Sequence, residues 1–406
     1  MACCCCFGGA SEVDEAAQQR YQPFLDPADQ PASSQQLSHE DIELLAVLGR
    51  GSYGKVMQAR KRDTGKVYAM KVLAKRDVLA RNQMRHALTE RNLLEAVRHP
   101  FIVRLHFAFQ SPSSLHLVME LQSGGELFFH LRREGAFAEA RARLYAAEVM
   151  LALVALHGAC FVYRDLKPEN VLLDGEGHVR LSDFGLAKGS VVELDAGAST
   201  FCGTPSYMAP EVLLGSGHGL SVDWWSFGTL IYEMIAGAPP FYSRNLHTMY
   251  RDILVGELRW PGAISSRARA LLTGLLHRDP RRRLHSPHAM QRMSFFSKLD
   301  FERVFRRGYP PPFRPTPVGA SPSSQALDTA NFDATFTDED PMSEPPAAAA
   351  ERSASGSEVA SAAGGTERVG RGVMEADSQK SACATSSAAQ ANEQDPFPNW
   401  TPYFRE

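Results

Sequence analysis

The apolar residues of this chain follow two different periods, and the change between them constrains the fold most strongly. Before about residue 126 the runs are short, rich in β-branched or alternating apolar residues and separated by glycines, which is typical of antiparallel strands. From Glu126 onward the spacing favours helices. The expected fold class is therefore α+β, with a small β-rich lobe, a larger helical lobe and a cleft near residues 120–125. The predicted strands are Ile42–Val47, Lys55–Arg60, Val67–Leu73 and Leu115–Leu121, and the predicted helices are His86–Val97, Ala138–His157 and Val222–Ala236.

The dense apolar pattern covers residues 42–296, which we interpret as one domain. Residues 1–41 form an arm rich in Ala, Gln, Ser and Pro, and residues 297–406 form a C-terminal extension. We predict disorder in the arm and in most of the extension after residue 337, because such sequence buries too little apolar surface to offset the entropy of ordering. Two islands interrupt this composition, at Asn331–Phe336 and Phe397–Phe404.

Charge and cysteine usage narrow the class of protein. A formal net charge of −3 over 406 residues gives no basis for nucleic-acid binding, and no run of eighteen apolar residues predicts a membrane span. Within the patterned region only Cys160 and Cys202 are present, too few for a disulfide framework, so a reducing cytoplasmic or nuclear location is expected. The consecutive residues Cys3, Cys4, Cys5 and Cys6 could accept palmitate and attach the chain to a membrane; an unmodified reactive end is the alternative.

A glycine-rich segment, Gly49 to Gly54, follows the first predicted strand in the spacing G-x-G-x-x-G. Glycines let the backbone approach phosphates closely and offer N–H donors to them. The same spacing also marks dinucleotide-binding folds, in which the loop opens a helix. Here the chain continues as a strand from Lys55, and no βαβ pattern follows, which argues against a dinucleotide-dependent enzyme.

Five polar residues have the spacing that phosphoryl transfer requires. Lys71 ends the third strand, and Glu90 on the following helix could pair with it and aim its ammonium group at phosphates. Asp165 could orient an acceptor hydroxyl, while Asn170 and, thirteen residues later, Asp183 could bind a metal ion. Polar residues of ordinary surface loops would rarely occur together in this order and spacing.

Residues 42–296 resemble a eukaryotic protein kinase. The segments that carry this resemblance are Tyr163–Asn170, Asp183–Gly185 and Ala209–Glu211. Thr200–Pro205 and the segments Pro311–Pro315 and Asn331–Asp333 are similar to the AGC group, in particular its protein kinase B, serum-and-glucocorticoid-regulated and p70 ribosomal branch. The resemblance implies a bilobal serine/threonine kinase that uses ATP and Mg²⁺, with Lys167 assisting catalysis. It implies ATP contacts at Leu48, Gly49, Arg50, Gly51, Ser52, Tyr53, Gly54, Lys55, Val56, Lys71, Glu120, Leu121 and Glu126.

The resemblance also implies how substrate and regulators bind. Glu126, Glu169 and Glu233 match positions that receive arginines before the acceptor, and Thr204 lies in the segment that positions the peptide. Thr200 matches an activating phosphorylation site that an upstream kinase would modify, and Thr401 a site in a terminal hydrophobic motif. In this family Glu211 pairs with a late arginine, best matched by Arg283.

Three residues depart from the family pattern. Ser206 replaces an acidic residue, His285 a glycine, and Pro402 the aromatic residue of the terminal motif.

Two other functions are compatible with the same fold. A catalytically inactive scaffold is disfavoured because Lys71, Asp165, Asn170 and Asp183 are all present, and a lipid or small-molecule kinase is disfavoured by the peptide-positioning segment. A second triplet, His277-Arg278-Asp279, lacks the Lys and Asn that should follow, so we interpret it as surface structure.

Overall fold

The computed structural model describes residues 38–51, 54–315, 328–341, 397, 400 and 403–404. Met1–Ser343 and Asn399–Glu406 form one compact unit. Glu344–Pro398 forms a second unit, of which Phe397 is the described residue. The described residues do not include Ser52, Tyr53, Thr401, Pro402 or the four consecutive cysteines, Cys3 to Cys6.

The small lobe is built on a six-stranded antiparallel sheet in the order β1-β2-β3-β5-β4-β8. Its apolar core brings together Met57, Tyr68, Met70, Phe107 and Val118. The first two strands meet in a tight hairpin, because Gly51 pairs with Gly54 at the end of the glycine-rich segment. The strands are β1 (Ile42–Gly51), β2 (Gly54–Lys61), β3 (Val67–Ala74), β4 (Leu105–Gln110), β5 (Ser114–Glu120) and β8 (Tyr403–Phe404).

Two helices connect β3 to β4, namely α1 (Lys75–Ala80) and α2 (Met84–Ala96). The second helix buries Ala87, Leu93 and Leu94 on the side that carries Glu90. Spacings of three and four residues place these side chains on one helical face, as an amphipathic helix requires. That face points into the lobe and fixes where Glu90 lies.

The large lobe is mainly helical and is organised around two buried helices, α4 (Glu139–Gly158) and α6 (Ser221–Ala236), which pack together. A short antiparallel pair, β6 (Val171–Leu173) and β7 (Val179–Leu181), lies at the cleft. Side-chain caps start three of the outer helices, where Asn245, Ser265 and Ser286 accept a backbone N–H. The remaining helices of the described residues are α3 (Leu127–Glu134), α5 (Pro210–Leu214), α7 (Leu246–Val255), α8 (Ser266–Leu275), α9 (Pro287–Arg292), α10 (Phe301–Phe305) and α11 (Ala334–Thr337).

The C-terminal extension returns to the lobes after α10 and packs closely on glycines. Gly177 has φ +97°, and a Cβ there would lie 2.0 Å from the carbonyl oxygen of Phe313. Gly125 has φ +68°, and its Cβ would lie 2.1 Å from the carbonyl oxygen of Asn331. Both positions need glycine for backbone conformation and for space. None of the described helices has the length and apolar character needed to cross a membrane.

Candidate active site

Lys71 lies at the centre of the cleft and contacts two carboxylates. Its Nζ is 2.7 Å from Oε1 of Glu90 and 3.0 Å from Oδ1 of Asp183. Burial by itself would lower the pKa of Lys71, but Asp183 and Glu90 outweigh it and raise that pKa, so the lysine is charged. Conversely, the Lys71 charge lowers the pKa of Asp183. Strand β3, helix α2 and the loop after β7 thus meet at the ammonium group of Lys71.

The carboxylate of Asp165 is held by three donors from neighbouring segments. Thr204 Oγ1 donates to Oδ1 at 3.1 Å, and Lys167 Nζ and Asn170 Nδ2 donate to Oδ2 at 2.9 and 2.8 Å. Lys167 also donates to Thr204 Oγ1 at 3.1 Å. The structure therefore joins Asp165, Lys167 and Asn170 with Thr204, the threonine predicted to position the peptide, in a single hydrogen-bonded group.

Asp223 on α6 supports the backbone under this group. Its two oxygens accept the N–H groups of Tyr163 and Arg164 at 2.9 and 2.8 Å, and His157 Nε2 lies 2.7 Å from Oδ2. Arg164 has φ +68°, a left-handed conformation that is unfavourable for a side chain larger than glycine. The buried carboxylate thus stabilises the strained turn that presents Asp165.

Asp183 and Asn170 provide oxygen donors of the kind that Mg²⁺ prefers. The Asp183 side chain is 44% exposed toward the cleft, although Oδ1 is bound to Lys71. Asn170 is buried, and its amide nitrogen is committed to Asp165, which leaves the amide oxygen for another partner. The chemistry of this donor pair fits a magnesium ion.

The predicted ATP-contact residues are distributed over both walls of the cleft. Leu48 is buried on β1, while Glu120 and Leu121 are half-buried where β5 leads into the large lobe. Gly49, Gly54 and Lys55 lie on the β1–β2 hairpin above them. Arg50, Gly51 and Val56 lie on the same hairpin, and Val56 pairs with Lys71 in the sheet.

Of the three predicted substrate-binding carboxylates, Glu233 is buried, and Glu126 and Glu169 are half-buried. Burial raises the pKa of Glu126 to about 7, with a further contribution from Glu169, and burial also raises the pKa of Glu169. Burial raises the pKa of Glu233 to about 7, while a hydrogen bond from the Tyr207 hydroxyl opposes this shift. Buried carboxylates with raised pKa values favour a cationic partner that restores their charge.

The predicted phosphorylation site Thr200 is exposed on the loop between Asp183 and α5. Near this loop, Arg164 is buried and its Nε donates to Leu186 O at 2.8 Å. Its NH1 has no hydrogen-bond partner among the described residues, and the same holds for Nδ1 of His86. His86 was not predicted; its only sequence signal is its place on α2, one turn before Glu90. Burial and the nearby Arg164 charge lower the pKa of His86.

The predicted pair of Glu211 and Arg283 is confirmed, with NH1 2.6 Å from Oε1 and NH2 2.8 Å from Oε2 in the buried interior. In the second triplet, Arg278 is committed to backbone carbonyls, among them that of Ile253 at 2.8 Å. That triplet is structural, as expected.

Comparison with known proteins gives consistent matches over the patterned region. Residues 42–296 match the family described as protein kinase domain, and residues 324–401 match the family described as protein kinase C terminal domain. The chain is 48% identical over 318 residues to a RAC family serine/threonine-protein kinase homolog of Dictyostelium discoideum, covering 78% of this chain and 70% of that one.

Two further relatives extend the comparison. The chain is 45% identical over 313 residues to the human serine/threonine-protein kinase Sgk2, covering 76% of this chain and 83% of the relative. It is 48% identical over 314 residues to the serine/threonine-protein kinase YPK1 of Saccharomyces cerevisiae, covering 77% of this chain but 45% of the relative. Protein kinase 2 of Dictyostelium and gad8 of Schizosaccharomyces pombe are matched over 64% and 54% of their own lengths.

Proposed function

This chain belongs to the AGC group of serine/threonine protein kinases, and we propose that Lys71, Asp165, Asn170 and Asp183 carry out its phosphoryl transfer from ATP. The contact of one ammonium group with both Glu90 and Asp183 is the observation that best supports this proposal. It brings a phosphate-binding cation to a carboxylate suited to a metal ion, which is the combination that the reaction needs.

In the proposed reaction, the serine or threonine oxygen of a protein substrate bonds to the γ-phosphorus of ATP. The bond to the β–γ bridging oxygen breaks and ADP leaves. Asp165 orients the hydroxyl and accepts its proton, and Lys167 lies beside it to balance charge on the transferred group. Asp183 and Asn170 would hold Mg²⁺, which when bound neutralises charge on the phosphates.

The test is Asp183→Ala, with Asp195→Ala as a matched control. Asp195 also lies in the segment before α5, but it pairs with Arg281 on the surface. We expect Asp183→Ala to lower phosphotransfer by several powers of ten while circular dichroism stays unchanged, because a metal ligand is lost. The control should retain activity, and near-native turnover by Asp183→Ala would contradict the proposal.

The preferred substrate, on this proposal, has arginine two to five residues before the acceptor. The support is electrostatic: Glu233 is buried, Glu126 and Glu169 are half-buried, and no neighbouring cation is strong enough to keep the pKa values of these three carboxyl groups low. A guanidinium group binds a carboxylate in a bidentate manner that lysine does not reproduce. Ser206, in place of an acidic residue, would weaken selection at more distant positions.

Activation by phosphorylation of Thr200 is the second part of the proposal. A phosphate there would meet Arg164, whose NH1 is buried without a partner among the described residues, and His86, which lies on the helix of Glu90. Such contacts would link the catalytic loop, the phosphorylated loop and α2. They would therefore favour the position of α2 in which Glu90 meets Lys71.

The cysteines Cys3 to Cys6 are proposed as palmitate acceptors, on the ground that two acyl chains suffice for stable membrane attachment. Hydroxylamine-sensitive acyl exchange on protein purified from cells should label the parent and not a variant with all four changed to Ser. Absence of label on the parent would reject acylation.

A further inference from the structure

The loop that carries Thr200 packs on residues 217–221, a segment here called the loop seat. His218 and Ala198 pair through both of their backbone groups, with N to O distances of 2.8 and 2.9 Å. A Cβ at Gly219 would lie 2.2 Å from a carbonyl oxygen of the same loop, so the two segments are in close contact. The first half of the loop therefore has a fixed position, and Thr200 follows two residues after the paired Ala198.

A cavity borders the loop seat on the side of the proposed catalytic residues. Arg164, Cys202 and His218 are among the residues that line it. Thr200 is exposed and lies two residues before Cys202. Because two residues of chain span at most about 7 Å, Thr200 lies close to this cavity as well as to the seat.

Two side chains that line the cavity have nitrogen atoms without a partner. Arg164 is 9% exposed and His218 is 2% exposed. NH1 of Arg164 and Nε2 of His218 form no hydrogen bond with any of the described residues. A buried polar atom without a partner raises the free energy of the folded state. A ligand that accepts hydrogen bonds would satisfy both atoms, with the proton of the His218 ring on Nε2.

The charges around His218 favour an anion in this place. Burial lowers the pKa of His218, and the nearby cations Arg164 and Lys188 lower it further. The two nearby carboxylates, Glu211 and Asp223, oppose this shift, but each already accepts hydrogen bonds from other donors. A negative group in the cavity would therefore reduce the repulsion between the imidazole and the two cations.

We propose that His218 binds the phosphate of phosphorylated Thr200, together with Arg164 and His86. A phosphate supplies the negative charge and the acceptor oxygens that these donors require. The contact joins two supports of the proposed catalytic site, because Arg164 lies in the strained turn and the loop seat leads into α6, whose Asp223 accepts the N–H of Arg164. This inference rests on the proposed phosphorylation of Thr200.

The test uses the full chain with phosphothreonine placed at position 200 by genetic code expansion, so that no upstream kinase is needed. The pKa of the phosphate is measured by ³¹P NMR, and its removal by a phosphatase is timed. His218→Phe keeps the ring shape and the backbone pairing but removes both ring nitrogens, whereas His218→Gln places an amide N–H near the position of Nε2. Because donors to the phosphate dianion lower its pKa, we expect His218→Phe to raise it and to speed phosphate removal about tenfold, and His218→Gln to restore most of both values.

His247→Phe is the matched control, because it removes an imidazole at an exposed position of α7. It should leave the phosphate pKa and the rate of phosphate removal unchanged. A phosphate pKa in His218→Phe equal to that of the parent, or an equal change in the control, would overturn the proposal.

A second measurement needs only the parent sequence and the conservative His218→Gln variant. With histidine labelled with ¹⁵N, the signal that is missing from His218→Gln is assigned to His218. Phosphothreonine at position 200 should raise the pKa of this histidine, because a nearby negative charge favours its protonated form; an unchanged pKa would overturn the proposal. A phosphothreonine that leaves kinase activity unchanged while these shifts occur would overturn activation through Thr200 and still support the contact with His218.

Discussion

At the scale of single residues, two of the six non-glycine residues with positive φ in the described part of the chain lie where the chemistry is proposed. Arg164 and Asp183 have φ values of +68° and +50°, and both flank the cleft. Each is held by a contact with another element: Asp223 accepts the N–H of Arg164, and Lys71 binds Asp183. Strained residues persist only where their surroundings stabilise them. The fold therefore uses packing in α6 and β3 to present two side chains in unfavourable conformations.

A pH dependence of substrate choice follows from Glu126 and Glu233, whose pKa values are raised to about 7. A carboxyl group with a pKa of about 7 is charged at higher pH and becomes neutral as the pH falls through that value. We therefore expect the preference for an arginine-containing peptide over its Arg→Ala counterpart to decline between about pH 8 and pH 6. The measurement is the ratio of kcat/KM for the two peptides, in which the pH dependence of the chemical step cancels.

Glu233→Gln provides the control for that prediction. The substituted protein should show a lower ratio that varies less with pH, while turnover of the arginine-free peptide is retained. A parent ratio that stays constant over the same range would contradict the role of the two carboxylates.

The residues of the site were more predictable than their partners. The sequence predicts Asp165, Asn170 and Asp183 as site residues because their spacing along the chain matches the geometry that phosphoryl transfer requires. No spacing in the sequence predicts a role for His86 or the ion pair between Arg50 of the hairpin and Glu339 of the C-terminal extension. Both depend on contacts with residues that are distant in sequence. Contacts between sequence-remote surfaces are fixed by packing, which local patterns do not encode.

At the scale of elements, the predicted strands and helices lie where expected, and the differences have local causes. Strand β1 extends to Gly51 because the glycine-rich segment pairs with β2 as a hairpin. Strand β4 was not predicted: five of its six residues are buried, so it lacks the alternation that marks a half-buried strand. The two-residue strand β8 exists only through pairing with Phe107 and Ala108, which is a tertiary effect.

Phosphorylation of Thr200 is expected to act through the loop as an element. Thr200→Ala should have low activity that does not rise after treatment with an upstream kinase, because no phosphate can draw Arg164 and His86 toward the loop. The matched control is Ser199→Ala, which removes an adjacent exposed hydroxyl. It should be activated like the parent, with the phosphate mapped to Thr200 by mass spectrometry. Equal activation of Thr200→Ala would rule out this site.

At the scale of the whole molecule, the C-terminal extension unites the lobes by contacting several parts of one unit. Arg307 binds Asp174 beside β6, and Phe313 packs on Arg141. Residues 328–341 bind the hinge through Asn331 and the hairpin through Glu339. These contacts explain why parts of a segment whose composition predicts disorder are ordered, because each part packs against an apolar or charged surface of the kinase domain. Phe332 is half-buried within residues 328–341.

The last of these contacts is made by Trp400 on the small lobe. Its side chain is buried, Nε1 donates to Phe109 O on β4 at 3.0 Å, and the Arg91 guanidinium carbon lies 5.9 Å from the centre of the ring. Arg91 directly follows Glu90 on α2. Trp400 thus packs between the sheet and the helix that carries the partner of Lys71.

Removing this side chain should affect both stability and catalysis. We expect Trp400→Ala to lower the free energy of unfolding by about 3 kcal/mol, as truncation of a buried tryptophan commonly does. Activity should fall as well, because α2 loses a neighbour and Glu90 is less firmly held against Lys71. Denaturant unfolding and peptide phosphorylation measure the two effects, with Trp260→Ala, a half-buried tryptophan of the large lobe, as control. The control should lose less stability and keep its activity. If Trp400→Ala matched the parent in both, the terminal segment would have no role in positioning α2.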